Sequence, residues 1–173
     1  MRTIALRFWI LVLGVGLSHL SFAAVIEKGE FVPNRCWTTV DDKPFCLDYA
    51  LDTVRVLIHS AGWCGPCNIE MSELASRVKE FEGKPVTFIN LAVQGWAHGS
   101  MPTKEFMTQW KEKHKIPFTV AASPKDAGTA YFTPPLYVPS VVIIDRNGVL
   151  VYKNSGDEVD TVFAEINAAL SQR

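Results

Sequence analysis

The chain has 173 residues, 48% of them apolar and 20% charged, with a formal net charge of −1. That is enough for one domain with a real core. Neither sign of charge forms a long run, so nucleic-acid binding has no electrostatic footprint here.

The first residues, MRTIALRFWILVLGVGLSHLSFA, set Arg2 and Arg7 before an apolar run from Phe8 to Leu17 and end in Ser21-Phe22-Ala23, a small-x-small pattern. Residues 1–23 therefore read as a secretory signal peptide. The apolar stretch is short for a bilayer span, and Ser18, His19 and Ser21 break its far end, so a retained anchor is the second reading. The first cysteine is Cys36, too far downstream for a lipid-modified amino terminus. Cleavage after Ala23 leaves a chain expected to be soluble and periplasmic, with no stable membrane insertion. Of the 17 basic side chains 15 then remain, against 18 acidic ones, a mild −3. Export also allows disulfides, and four cysteines suggest two pairs.

FVPNRCWTTV and FCLDYAL flank the turn-rich Asp41-Asp42-Lys43-Pro44 and read as a hairpin. VRVLIHS, from Val54, has the apolar β-rich character of a buried strand and runs directly into GWCGPC. From Cys67 the apolar positions Met71, Leu74, Val78 and Phe81 recur at helical spacing until Gly83 and Pro85 stop them. VTFINL from Val86 is a second apolar strand, followed by a loop with Gly95, Trp96, His98 and Gly99. The pattern predicts a helix from about Pro102 to His114 with Phe106, Met107 and Trp110 inward. FTVAA at Phe118 is a short strand, and Ala127 to Phe132 has room for one or two helical turns. A proline-rich approach leads through Val138-Pro139-Ser140 into SVVIID. Arg146-Asn147-Gly148 signals a tight hairpin before VLVYK. The last helix is expected to start near Asp157 as N-cap, burying Val159, Val162, Phe163, Ile166 and Leu170. Strands alternating with helices give an α/β domain of three layers with a mixed central sheet, flanking helices and an N-terminal hairpin.

GWCGPC thus falls where a central strand ends and a helix begins. A helix N-terminus presents unpaired N–H groups and the positive end of the macrodipole, which favour a thiolate at Cys64. A free cysteine titrates at about 8.5, and the first thiol of such a pair can fall to roughly 7 or below. Cys67, one turn further in, would act second and resolve the mixed disulfide that Cys64 forms. Pro66 suits a first helical turn, where its missing N–H costs nothing. Half of a zinc site is the competing reading, completed by Cys36 and Cys46 from the hairpin.

Through Trp63-Cys64-Gly65-Pro66-Cys67 and Val138-Pro139-Ser140 the chain resembles the thioredoxin superfamily. The resemblance implies that Pro139 is a cis-proline facing the two cysteines. It also implies that the backbone of Val138 pairs with the substrate chain and that Trp63 contacts it. Without the cysteines, Pro139 would read as an ordinary trans proline at a strand start, like Pro117. More narrowly the chain looks like the exported TlpA-like and ResA-like branch, thiol reductases that include those serving cytochrome c maturation. That likeness covers about Val54 to Leu170 and rests on the strand and helix between FINLAV and the VPS strand, and on Glu70. It implies a 24–53 hairpin extension followed by a thioredoxin-like domain over 54–173. Glu70 interrupts an apolar stripe three residues after Cys67. It is either a half-buried carboxylate relaying the Cys67 proton or a surface glutamate at the stripe's edge. Thioredoxin has a buried aspartate six residues before its first cysteine, and here that position is Ile58.

Cys36 and Cys46 bracket nine residues across the hairpin, which suits a structural disulfide; a second redox centre is the alternative. Trp96 and His98 occupy a loop that could line a partner groove, and Tyr137 could border it. His59 reads as a packed strand residue. Three functions are open: a periplasmic thiol:disulfide oxidoreductase working as a reductant, the same site working as an oxidase or isomerase, and a copper-binding module in which Cys64 and Cys67 hold Cu(I) with His98 or His114. Disulfide exchange requires no cofactor. Its partners would be an exported protein disulfide and a membrane or periplasmic thiol donor.

Overall fold

The computed structural model describes residues 25–123 and 128–172. The expected signal peptide lies outside these residues, as do residues 124–127, the last of which, Ala127, begins the segment expected to hold helical turns. Within that segment, Tyr131 and Phe132 N–H groups both donate to Gly128 O at 2.8 Å, making a single turn.

The strands are β1 (Cys36–Thr39), β2 (Pro44–Cys46), β3 (Val54–Ala61), β4 (Val86–Gln94), β5 (Thr119–Ala122), β6 (Ser140–Ile144) and β7 (Leu150–Ser155); the helices are α1 (Gly65–Arg77), α2 (Lys104–Lys113) and α3 (Val159–Ser171). One seven-stranded sheet runs β2-β1-β5-β4-β3-β6-β7. The mixed character expected from the sequence is present: β3 pairs parallel with β4 and antiparallel with β6. The hairpin does not stand apart. Its strand β1 pairs with β5, so it extends the same sheet.

All eight residues of β3 are buried, as a strand covered on both faces requires. Val56 and Ile58 turn to one face, against Met71 and Leu74 of α1, Phe106 and Trp110 of α2, and Val162 and Ile166 of α3. Leu57 turns to the other, against Val32, Leu47 and Tyr131. Among the described residues, the three α-helices share one face. The opposite face is covered by the segment before β1, a 3₁₀ turn at Leu47–Ala50 and the turn at 128–132. A polar network crosses the helical face: Trp110 Nε1–H donates to Asn90 Oδ1 (3.0 Å), and Asn90 Nδ2–H donates to Ser60 Oγ (2.7 Å).

The Arg146-Asn147-Gly148 turn joins β6 to β7 as expected, with Asp145 Oδ1 accepting from the Asn147 and Val149 N–H groups (2.9 Å each). Asp157 is not the cap of α3. Its carboxylate is already engaged by the Tyr152 hydroxyl and Asn154 Nδ2–H, so the helix begins after Glu158, whose side chain makes no capping bond.

Candidate active site

The end of β3 and the end of β4 approach each other so closely that only glycine fits between them. A Cβ on Gly62 would lie 2.6 Å from Phe106 Cε2 and 2.8 Å from Gly95 O. The chain then turns into Cys64, the N-cap of α1. The turn is fastened from below by Asn68, whose Nδ2–H donates to Cys64 O (2.8 Å) and Gly62 O (3.2 Å), while Lys113 Nζ–H of α2 donates to Asn68 Oδ1 (2.7 Å).

Cys64 and Cys67 are joined as a disulfide. The Cys67 N–H donates to Cys64 Sγ at 3.1 Å. This is the helix-start donor that stabilises negative charge on sulfur once the bond is reduced. Cys64 retains 3% exposure and Cys67 none. Both residues are thus buried, and Cys64, expected to be the reachable one, offers only a narrow target. Across from it, the Val138–Pro139 peptide bond is cis, and Val138 O sits 3.5 Å from Cys64 Sγ. Pro139 is buried, and its carbonyl accepts from the Gly156 N–H (2.9 Å), which ties the entry of β6 to the end of β7.

Glu70 is buried at 6% exposure, and neither carboxylate oxygen has a hydrogen-bond partner. Burial, with the nearby charges of Asp157 and Glu73, raises its pKa to about 8. It is therefore not a surface glutamate. It lines a cavity of about 360 Å³ together with Pro66, Ile69, Pro139 and Asp157, so the cavity joins α1, the cis-proline and the β7–α3 turn. Ile58, where thioredoxin has its aspartate, is fully buried among apolar side chains. Glu70 is the buried carboxyl group at this site.

Trp63 is half-buried beside Cys64; its Nε1–H donates to Gln94 Oε1 (2.7 Å), and its ring stacks on His98. Tyr137 is 70% exposed next to Val138. Trp96 is turned toward α2, with its Nε1–H on Gln109 Oε1 (3.0 Å). His59 lies on the opposite face of the sheet against Tyr131 and Phe132. Burial lowers its pKa to about 4.

The second pair, Cys36 and Cys46, is also a disulfide, between register partners of β1 and β2. It lies at the β1–β2 edge of the sheet, apart from Cys64 and Cys67 at the start of α1. His114 Nδ1 lies 2.8 Å from Ser72 Oγ while its Nε2 has no partner, and the His98 ring stacks on Trp63. Among the described residues no three His, Cys, Asp or Glu side chains converge to hold a metal ion.

The structure brings Cys64, Cys67, Glu70, Trp63, Val138 and Pro139 together. Sequence reasoning missed Asn68 and Gln94, polar residues whose roles depend on which loops meet; it read Asp157 as a helix cap and placed His98 in a loop that could line a partner groove.

The Redoxin family profile matches residues 27–170, which includes the hairpin as well as the chain after it. No curated protein matches the chain. Among solved structures, a candidate protein disulfide isomerase from Bacteroides thetaiotaomicron is 20% identical with a TM-score of 0.72, covering 86% of this chain and 92% of its own. A thiol:disulfide interchange protein from Chlorobium tepidum is 19% identical with a TM-score of 0.70, covering 84% and 99%. A secreted disulfide oxidoreductase from Mycobacterium tuberculosis is 20% identical with a TM-score of 0.61, covering 78% and 95%. At these identities the likeness establishes the thioredoxin-like fold.

Proposed function

The chain belongs to the Redoxin family and is a thiol:disulfide oxidoreductase; from that premise we propose that it works in the periplasm as a reductant of disulfides in exported proteins. The observation that carries this reading is the Cys64–Cys67 disulfide at the start of α1, with the Val138 carbonyl against the Cys64 sulfur.

In the reduced form the Cys64 thiolate attacks one sulfur of a substrate disulfide. A mixed disulfide forms, and the other substrate sulfur leaves as a thiolate. Cys67, deprotonated, then attacks Cys64 Sγ, closing the Cys64–Cys67 disulfide and releasing the second substrate sulfur. Two electrons pass to the substrate, whose sulfurs take up two protons. A membrane or periplasmic thiol donor restores the dithiol by the reverse exchange. Glu70 is the acceptor for the Cys67 proton. Burial raises the Glu70 carboxyl to about 8, so at neutral pH it accepts the Cys67 proton in its minor ionised fraction, which grows as pH rises toward 8. Val138 offers its main chain, and Trp63 its ring, to the segment carrying the substrate cysteine.

Export is supported by the leader-like residues 1–23, and by the secreted character of the M. tuberculosis structural relative. Cytochrome c maturation is the role that the TlpA-like and ResA-like resemblance implies, with an apocytochrome's paired cysteines as substrate. The test is covalent trapping in the envelope. A Cys67→Ala chain should accumulate mixed disulfides on Cys64, and a Cys64→Ala chain should accumulate none. Equal trapping by both variants contradicts the assigned order of attack.

A further inference from the structure

Trp63 immediately precedes Cys64, and one short segment holds its indole from two directions. Gln94 Oε1 accepts the indole N–H at 2.7 Å and, at the same atom, the Gly99 N–H at 3.0 Å. His98, two residues into that loop from Trp96, lies on the indole face with ring centroids 3.6 Å apart and planes 27° from parallel. The loop is itself closed: the Gly95 N–H donates to Ser100 O (3.1 Å), and Ser100 Oγ–H donates to Ala97 O (2.7 Å). On its far side Trp96 packs edge-on against Phe106 of α2. The end of β4 supplies the hydrogen bond, and the loop after it supplies the stack. Both act on a single side chain beside the disulfide.

A half-buried aromatic side chain left to itself samples several staggered rotamers. Ordering it when a polypeptide arrives weakens binding, whereas a ring fixed beforehand by stacking and by a hydrogen bond presents a ready surface. We propose that Gln94 and His98 are positioning residues that preset the Trp63 indole as the wall against which an extended substrate polypeptide docks beside Cys64. This rests on the dithiol reading above and adds to it a separable requirement: protein disulfides need the wall, and small disulfides do not.

The experiment compares the full chain with its His98→Ala, His98→Phe and Gln94→Leu variants on two substrates, the interchain disulfides of insulin and the small aromatic disulfide DTNB. For His98→Ala and Gln94→Leu we expect KM for insulin to rise about 2- to 10-fold, the range that loss of one prearranged side chain produces, with kcat unchanged. Their DTNB rates and midpoint potentials should match the parent. His98→Phe, which keeps a stacking ring, should restore the insulin KM. An unchanged insulin KM in His98→Ala and Gln94→Leu overturns the proposal. So does an equal loss on DTNB, because the effect would then lie on the thiols. Failure of His98→Phe to restore KM removes stacking as the cause. If the parent chain reduces neither substrate, the reductase reading itself falls, an outcome distinct from all of these.

Discussion

The Cys64 sulfur touches two backbone groups of opposite polarity: the Cys67 N–H donates to it at 3.1 Å, and Val138 O faces it at 3.5 Å. The two oppose each other once the disulfide is opened. A thiolate gains from the N–H, at about 1.5–3 kcal/mol for a hydrogen bond to a charged group. The helix start adds about 0.3–2 kcal/mol. The carbonyl oxygen is less close and favours the protonated thiol, to which it can serve as acceptor. The donor side is the stronger, so Cys64 is expected to titrate below the free-cysteine value. In the proposed complex the Val138 main chain pairs with the substrate chain instead.

Glu70→Gln removes the proposed acceptor for the Cys67 proton while keeping the side chain's size. The mixed disulfide should then persist about 100-fold longer at pH 7, the scale of general-base catalysis. The difference should grow as pH rises toward about 8, where more of Glu70 is in its charged, proton-accepting form. Quenched-flow measurement of mixed-disulfide decay across this range checks it. A pH-independent effect, or none, assigns Glu70 a different part.

Stability should peak on the acidic side of neutrality, because two buried groups act in opposite directions. Glu70 is raised from 4.5 to about 8, so the stability it confers is complete below about 4.5 and is lost as pH rises through 8. His59 is lowered from 6.5 to about 4, so its share is complete above 6.5 and is lost as pH falls through 4. Between about 4.5 and 6.5 the two slopes offset each other. At about 1.4 kcal/mol per unit, the upper bounds are about 5 kcal/mol for Glu70 and about 3.5 kcal/mol for His59. Denaturant midpoints from pH 4 to 9 should therefore show a plateau with two falling limbs. Glu70→Gln should flatten the alkaline limb and His59→Phe the acid one.

The Cys36–Cys46 bridge lies on the outermost strand pair, three strands from β3 in the sheet order. Replacing both cysteines with serine should lower stability by somewhat under 3 kcal/mol, the chain-entropy value for a loop of this length. It should leave insulin reduction intact. Chemical denaturation under non-reducing conditions and a turnover assay check both halves. Loss of activity in a folded variant would instead mark the bridge as part of an electron path.

Much of this architecture could be read from residue order, since it depends on local signals. The apolar run of β3, the period of Cys67, Met71 and Leu74, and the Arg146-Asn147-Gly148 turn each state their own conformation. The pairing of Pro139 with the cysteines was available through resemblance, because both halves carry a recognisable motif. Glu70 was ambiguous, since a carboxylate at the edge of an apolar stripe does not reveal what covers it; the β7–α3 turn does. Asp157 looked like a helix cap because the capping preference is local, and Tyr152 and Asn154 of β7 had a competing claim on its oxygens. His98 is a further step removed: its contact with Trp63 exists because Gly62 and Gly95 let two loops touch, which no single segment encodes.

The Cys64 sulfur, narrow as its opening is, should ionise and react near neutral pH. The most direct test is the rate of iodoacetamide alkylation at Cys64 against pH in the fully reduced chain, with the modified residue located by mass spectrometry. The half-maximal rate is expected at about pH 7, at least one unit below the free-cysteine value of about 8.5, with Cys67 protected throughout. A midpoint at or above 8.5, or alkylation at Cys67 ahead of Cys64, would contradict it.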